Sequence, residues 1–180
     1  MERIHCFDDF YLKILLPKDV TKRYVHWIND TETNKYLVTQ KTTIEDCKKY
    51  VLDKYNNKNT FFYGIFHNSK HIGNIKIEKI DNKLNCGCLG VMIGDKHYRG
   101  KGYGTKLITF FGNYLFNNLP LDIIMLGVLK ENIGAIKCYL KCGFKNIYDV
   151  NENTLHIVNK YLTKYHFSNA SDRMYMLITK

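Results

Sequence analysis

Alanine is almost absent from this chain: of 180 residues only Ala135 and Ala170 are alanine, and proline occurs twice, at positions 17 and 120. Beside abundant Asn, Ile, Tyr and Lys, that bias has the look of an AT-rich coding sequence. It makes a general lysine enrichment the plain source of much of the chain's charge. No apolar run approaches the roughly 18 residues a membrane span requires, and residues 1–9 carry no long apolar stretch of the kind a secretory leader has. A soluble cytoplasmic protein is the expectation. The six cysteines lack Cys-x-x-Cys spacing: Cys86 and Cys88 stand two apart on a strand pattern, Cys138 and Cys142 four apart on a helix pattern, and no histidine pair completes either. A structural zinc site is therefore not expected, nor any metal, and the thiols read as small buried side chains in a reducing compartment. Repeats, low-complexity tracts and linkers are missing too, so residues 1–180 are expected to form one domain, long enough for a sizeable core.

What is in excess is positive charge, 27 Lys and Arg against 17 Asp and Glu for a formal net charge of +10. An anionic partner suits that balance. The excess is spread along the chain, without a focused basic stripe interleaved with aromatics, so nucleic acid is not expected to be the partner.

Apolar periodicity and turn residues divide the chain into alternating elements. Residues 11–16 read as a strand stopped by Pro17, and Asp19 as the cap of a helix running through Trp27. Thr43 opens a second helix by a capping-box pattern, with Ile44, Cys47, Tyr50 and Val51 on its apolar face and Asn56-Asn57 at its end. Residues 60–67 and 72–80 read as an antiparallel pair joined at 68–70, with Gly73 at a bulge or close approach. Residues 86–93 complete a meander. A helix over about 105–117, with Leu107, Phe110, Phe111, Tyr114 and Leu115 at helical spacing, leads to an apolar run at 123–129 that reads as a strand buried on both faces, parallel to 86–93 by a right-handed crossover. A short helix from Asn132 ends at Gly143, and strands follow at 145–150 and 174–179. The intervening 151–171 is longer than a hairpin needs and is helical in part.

The chemistry concentrates where the 86–93 strand gives way to a glycine-rich basic loop that opens onto a helix. Glycines let a backbone come close to a ligand, and unpaired amides at a helix start carry partial positive charge toward an anion. Arg99, Lys101 and Lys106 add full charges. Walker and dinucleotide patterns both fail, since no Gly-Lys-Ser/Thr closes the loop and Gly100, Gly102 and Gly104 alternate. The remaining pattern, Arg99-x-x-Gly102-x-Gly104, resembles the pyrophosphate motif of the GNAT superfamily of acyl-CoA-dependent N-acetyltransferases. Downstream, Asn132-x-x-Ala135-x-x-x-Tyr139-x-x-x-Gly143-Phe144 resembles the same family's late motif. The Trp27-Ile28-Asn29-Asp30 turn is similar to one found in the branch holding ribosomal-protein N-terminal and amino-sugar acetyltransferases.

The resemblance implies an α/β (α+β) fold, a mixed and mostly antiparallel sheet of about six to seven strands splayed at its centre with about four flanking helices. It implies acetyl-CoA as co-substrate and direct attack of a neutral primary amine on the thioester. Main-chain amides from Arg99 through Gly100, Lys101, Gly102, Gly104 and Thr105 would hold the pyrophosphate, Val91 and Ile93 would pair with the pantetheine arm, and Asn132 would orient it. Tyr139 would protonate the departing thiolate, a phenol being protonated at neutral pH and close in acidity to a thiol. The glutamate that other members carry before the loop is missing here; Glu78, Asp95 or water remain as the base. Cys138 as a nucleophile is disfavoured because no histidine is placed beside it. Without a strong base, a weakly basic amine is the better acceptor, which favours an amino sugar, carried on a nucleotide for surface glycan synthesis. A protein N-terminal acetyltransferase is the alternative, and a CoA-binding or nucleic-acid-binding module without turnover the third reading. The oligomeric state is open.

Overall fold

The computed structural model of the chain describes residues 3–36, 41–167 and 171–180. It opens on a strand that the expectation lacked. β1 (Arg3–Phe7) pairs antiparallel with β2 (Phe10–Ile14) across a turn holding Asp8 at φ 44°. β1 is only five residues long and buries none of them fully, so its alternation of Arg3 and His5 with Ile4 and Cys6 is too short a signal to read, whereas β2 begins with three buried residues. Asp19 does not cap a helix. It lies in a 3-10 turn (Pro17–Asp19), where its carboxylate accepts from the Leu16 amide at 3.0 Å and from Lys13 Nζ at 2.6 Å. The cap of α1 (Lys22–Asn29) is instead Thr21, whose side chain accepts from the Tyr24 amide, and a further short helix, α2 (Thr31–Asn34), is capped by Asp30.

The capping box at Thr43 and Asp46 does start α3 (Ile44–Asn56). β3 (Phe61–His67) and β4 (Lys70–Asp81) are antiparallel, turned by Asn68 and Ser69, both at positive φ as a tight hairpin demands. Gly73 is a close approach: a Cβ there would stand 2.3 Å from Met92 O. β5 (Cys86–Ile93), α4 (Tyr103–Asn118) and β6 (Ile123–Leu129) follow, and the expected parallel ladder is present, pairing Cys86, Gly87 and Cys88 with Ile123, Ile124 and Met125. After α5 (Ile133–Lys141) the strand expected over 145–150 shortens to β7 (Lys145–Asn146), because Asp149 N turns back onto Asn146 O. α6 (Glu152–Lys164) fills the long connection and β8 (Arg173–Thr179) ends the sheet, antiparallel to β6. Residues 168–170 of the 151–171 connection lie outside the described residues.

Hydrogen bonding orders the strands β1-β2-β3-β4-β5-β6-β8-β7, a mixed, mostly antiparallel sheet. Among the described residues it has eight strands and six α-helices. The elements it adds to those expected are short or peripheral: β1 and the four-residue α2.

By Cα proximity the chain groups into two compact units, Met1–Glu78 with Gly90–Tyr103, and Lys79–Leu89 with Gly104–Lys180. The first is built on Leu15, Val20, Tyr24, Trp27, Val51 and Phe62, contributed by the strands, α1 and α3. The second is built on Cys86, Ile123, Met125, Val158, Tyr161 and Leu177. In it Tyr161, wholly buried, donates to Lys79 O at 2.8 Å, and Lys164 closes on Asp81 at 2.5 Å. α6 is thus part of that core.

Candidate active site

The loop after β5 is braced before it reaches any ligand. Its first residue, Gly94, lies flat against Trp27: a Cβ there would stand 2.1 Å from the indole Cδ2. Asp95 caps a 3-10 turn (Lys96–Tyr98), and the Tyr98 hydroxyl shares a 2.9 Å hydrogen bond with His67 Nδ1 inside an aromatic group of Phe10, His67, Tyr98 and Tyr103. Arg99 turns inward. Its Nε donates to Ile93 O at 2.8 Å, and its Nη2 donates to Gly94 O at 3.0 Å and Thr33 Oγ1 at 2.7 Å. Thr33 is in turn held by Asp30, which also accepts from Lys96. The Trp27-x-Asn29-Asp30 turn therefore acts as a buttress. Its Trp seats Gly94, its Asn ties the Thr42 backbone at 2.8 Å in both directions, and its Asp ties α2 to the loop.

With the Arg99 side chain occupied, what the loop offers is backbone. Gly100 and Gly102 sit at φ 70° and 81°, on either side of the exposed Lys101, and nothing stands within 4 Å of where a Cβ would be on either. Alternation of this kind turns successive N–H groups into an anion-binding concavity. α4 begins directly after it, with no acidic residue in its first turn and with the amides of Tyr103, Gly104 and Thr105 beyond the reach of intrahelical acceptors. This backbone fits a diphosphate. Val91 and Ile93, half-buried, precede it on β5, past the last residue that β5 pairs with β6.

Behind the start of α4, Thr105 Oγ1 lies 3.3 Å from Cys138 Sγ, and the Cys142 thiol donates to Thr105 O at 3.6 Å. The Cys142 thiol also serves Cys138, which holds Cys138 below the ordinary thiol range and pushes Cys142 above it. The partners of Cys138 are thus a hydroxyl and a thiol, and the pair ties α5 to α4 within the second unit.

α5 carries the second motif. Asn132 is its N-cap, Oδ1 accepting from the Ala135 amide at 3.1 Å. At the other end, Phe144 N bonds Tyr139 O and Gly143 N bonds Leu140 O, each at 3.0 Å, with Gly143 at φ 88°. This is a Schellman closure, and its usual apolar contact is the Phe144 ring against the Tyr139 ring, centroids 5.9 Å apart. The Gly-Phe that ends the motif pins Tyr139. Burial, and then the nearby thiols of Cys138, Cys142 and Cys88, push the Tyr139 phenol well above its ordinary pKa, so it stays protonated.

Neither carboxylate named as a base is at liberty. Burial works to raise Glu78, but Lys76 at 2.6 Å and Lys54 at 2.5 Å outweigh it and hold the group below the usual range. Burial likewise opposes ionisation of Asp95, yet hydrogen bonds from Lys70, at 2.7 Å, and from His97 bring it down to about 2. A depressed folded-state pKa contributes stability that is complete above the unfolded value near 4 and lost as pH falls from there toward 2. Asp95→Asn is therefore expected to remove roughly 1–2 kcal/mol at pH 7, allowing for water around the half-exposed Lys70. It should also flatten the acid limb of stability between pH 4 and 2, as urea titrations at stepped pH would record. An unchanged limb would show that Asp95 gains nothing from its partners.

A cavity of about 480 Å³ opens in the first unit, walled by Tyr24, Tyr36, Tyr50 and Phe62, with Asn74 and Lys76 of β4 among the polar groups lining it and Val91 and Met92 of β5 beside them. The sequence did not single out Asn74 or Lys76. The available signal was two polar residues alternating with isoleucines in 72–77, which marks one face of a strand as polar.

Residues 11–145 match the family model of the acetyltransferase (GNAT) domain. A probable spermine N(1)-acetyltransferase of Bacillus subtilis subsp. natto is 28% identical over 110 residues, 61% of this chain and 71% of that protein. Acetyltransferase PseH of Campylobacter jejuni subsp. jejuni is 25% identical over 134 residues, 74% of this chain and 82% of that protein. The crystal structure of spermidine N-acetyltransferase from Vibrio cholerae in complex with CoA and spermine superposes with a TM-score of 0.74 at 18% identity, covering 95% of each chain. Among the described residues no helix is long and apolar enough to cross a membrane, and no group of three metal-ligating side chains occurs. Matched by the family model over most of its length, the chain belongs to the GNAT family and is an acetyltransferase that moves an acetyl group to an amine.

Proposed function

We propose that the chain works as one acetyltransferase domain that takes the acetyl group from acetyl-CoA and places it on the amino group of an amino sugar, carried on a nucleotide, in the cytoplasm. The observation that carries this reading is the chemistry of the 480 Å³ cavity, which is in the size range of small-molecule sites. Four aromatic rings suit the faces of a sugar or a base. Lys76, which burial alone would pull down, is held charged above its ordinary pKa by Tyr50 and Glu78. Against it the cavity sets, among the described residues, a single carboxylate, Asp46, with one oxygen already accepting from the Thr43 amide and hydroxyl. A polyamine, a train of positive charges, would find little compensation there.

Acetyl-CoA supplies the activated acyl group. The amides from Gly100 to Thr105 would hold its diphosphate, the β5 backbone at Val91 and Ile93 would hold the pantetheine arm, and Asn132 would orient that arm while capping α5. Tyr139, kept protonated, would give its proton to the departing sulfur. With Glu78 and Asp95 both committed to lysines, the amine's proton would leave to water, which suits an amine that is partly neutral already.

The test is release of CoA thiol on incubation with acetyl-CoA and a panel of nucleotide-linked amino sugars, amino-terminal peptides and polyamines. Turnover is expected with a sugar. Release with peptides alone or polyamines alone would overturn the acceptor assignment and leave the acetyltransferase standing.

A further inference from the structure

β4 contains a bulge. Ile65 of β3 faces Gly73 and Phe66 faces His71, so Ile72 is an extra residue with no partner of its own. Side chains alternate faces along a regular strand, and one extra residue shifts that alternation. His71 and Asn74, three apart, consequently meet: His71 Nε2 lies 2.9 Å from Asn74 Oδ1 and 2.9 Å from Gly73 O. A main-chain carbonyl can only accept, so Nε2 must carry the proton, and the same N–H draws the oxygen of the Asn74 amide toward the ring. His71 is itself boxed by Phe66, Trp27 and Tyr24 at centroid distances of 4.9, 5.1 and 6.1 Å. Burial holds its pKa below the ordinary value, which keeps the ring neutral at pH 7.

This fixes what Asn74 presents to the cavity it lines. Its oxygen is taken, and its amide nitrogen meets no acceptor among the described residues. The residue is only 4% exposed, so that the nitrogen has little water to satisfy it except inside the cavity. Nearby, Tyr50 accepts from Lys76 Nζ at 2.9 Å, which leaves the phenol's own proton to give. Beside the Asp46 carboxylate, the cavity therefore offers three donors: an amide, a phenol and an ammonium.

We infer that Asn74, oriented by His71, is the specificity-determining residue of the acceptor site. It selects an amine whose neighbour is a hydrogen-bond-accepting oxygen, the hydroxyl or ring oxygen of a sugar, over an amine flanked by further ammonium groups. The inference rests on the cavity being the acceptor site, as proposed above. A group built to donate rejects a ligand lacking the acceptor, because the donor is then buried unpaired.

The experiment compares wild type with Asn74→Leu, Asn74→Asp, His71→Leu and His71→Gln, using the UDP-linked amino hexose that wild type turns over best, spermine as the contrasting acceptor, and equilibrium binding of acetyl-CoA as a readout apart from turnover. Asn74→Leu should raise the KM for the sugar about tenfold or more, with kcat within about threefold and acetyl-CoA binding unchanged. Asn74→Asp, which places a carboxylate where the donor stood, should move the ratio of sugar to spermine kcat/KM by about a hundredfold toward spermine. His71→Leu should follow Asn74→Leu in direction, and His71→Gln, which restores an N–H, should recover most of the loss. Sugar KM unchanged in Asn74→Leu, or a sugar-to-spermine ratio unmoved in Asn74→Asp, with acetyl-CoA binding intact, overturns the Asn74 assignment alone. Wild-type turnover of spermine and of no sugar overturns the amino-sugar reading itself. If the Asn74 variants lose their thermal transition, the His71 pair decides: Leu and Gln behaving alike counts against the inference.

Discussion

Replacing Tyr139 by phenylalanine is expected to lower kcat by about a hundredfold or more while leaving the Kd for acetyl-CoA within about twofold. The substitution removes one oxygen and keeps the ring, so the contact with Phe144 and the closure at Gly143 survive and α5 has no reason to shift. What disappears is the hydroxyl proposed to protonate the departing thiolate. Binding of the coenzyme should not register that loss, because the diphosphate is assigned to the loop amides and the start of α4. Single-turnover kinetics and equilibrium binding of acetyl-CoA check the two halves separately. Equal losses in both would show that the hydroxyl holds the coenzyme and has no part in protonation. Because burial pushes the phenol up from its ordinary value, the wild-type pH profile of kcat should show no alkaline limb from this group below about pH 10.

The second large effect is expected at Gly94. An alanine Cβ there would lie 2.1, 2.4 and 2.6 Å from three atoms of the Trp27 indole. No rotation of a methyl group relieves that contact, and Trp27 is buried among Tyr24, Val51 and Phe62 with little space to retreat. Overpacking a closed site costs about 1–3 kcal/mol, occasionally more, and for a chain of this length Tm should fall by about 2–12 °C. The loss reaches function, since Gly94 O is one of the acceptors that hold Arg99. Affinity for acetyl-CoA should drop at least about tenfold. Gly100→Ala is the control: its Cβ meets nothing, and only the left-handed backbone opposes it, by about 1–2 kcal/mol. Adding Trp27→Leu to Gly94→Ala should recover part of the Tm, as thermal denaturation followed by circular dichroism would show. A double variant as unstable as the sum of its parts would mean that the indole is not what the methyl meets.

Sequence reading located the elements whose periodicity was undiluted. β5 and β6, both nearly all apolar, were placed to the residue, and α3 was placed by its capping box. It missed β1, a five-residue edge strand with no fully buried side chain, whose alternation runs over too few residues to stand out. At α1 it chose the wrong cap: by type Asp19 is a better N-cap than Thr21, and only its contacts with Lys13 and the Leu16 amide take it out of that role. β7 fell short of 145–150 for a local reason, the turn at Asp149.

The candidate site divides the same way. The left-handed backbone at Gly100 and Gly102, the Asn132 cap and the place of Tyr139 on α5 were legible because backbone conformation and helix register are local properties. The side-chain role of Arg99 was not. A cation in a phosphate loop reads as a ligand contact, and its three internal acceptors come from residues 5, 6 and 66 positions away. Glu78 and Asp95 were candidates on type alone until their lysines were seen. Asn74 and His71 had no signal as a pair, since a spacing of three on a strand ordinarily separates two side chains.

That last spacing turns on a count of one. Inserting one residue between Ile65 and Phe66 of β3 would give Ile72 a partner and restore strict alternation to β4. His71 would swing to the opposite side of the strand from Asn74, the carboxamide would be free to rotate, and the cavity would offer an oxygen as readily as a nitrogen. A single-codon insertion, touching no residue that lines the cavity, would then suffice to blur the proposed choice between an oxygen-rich amine and a polycation.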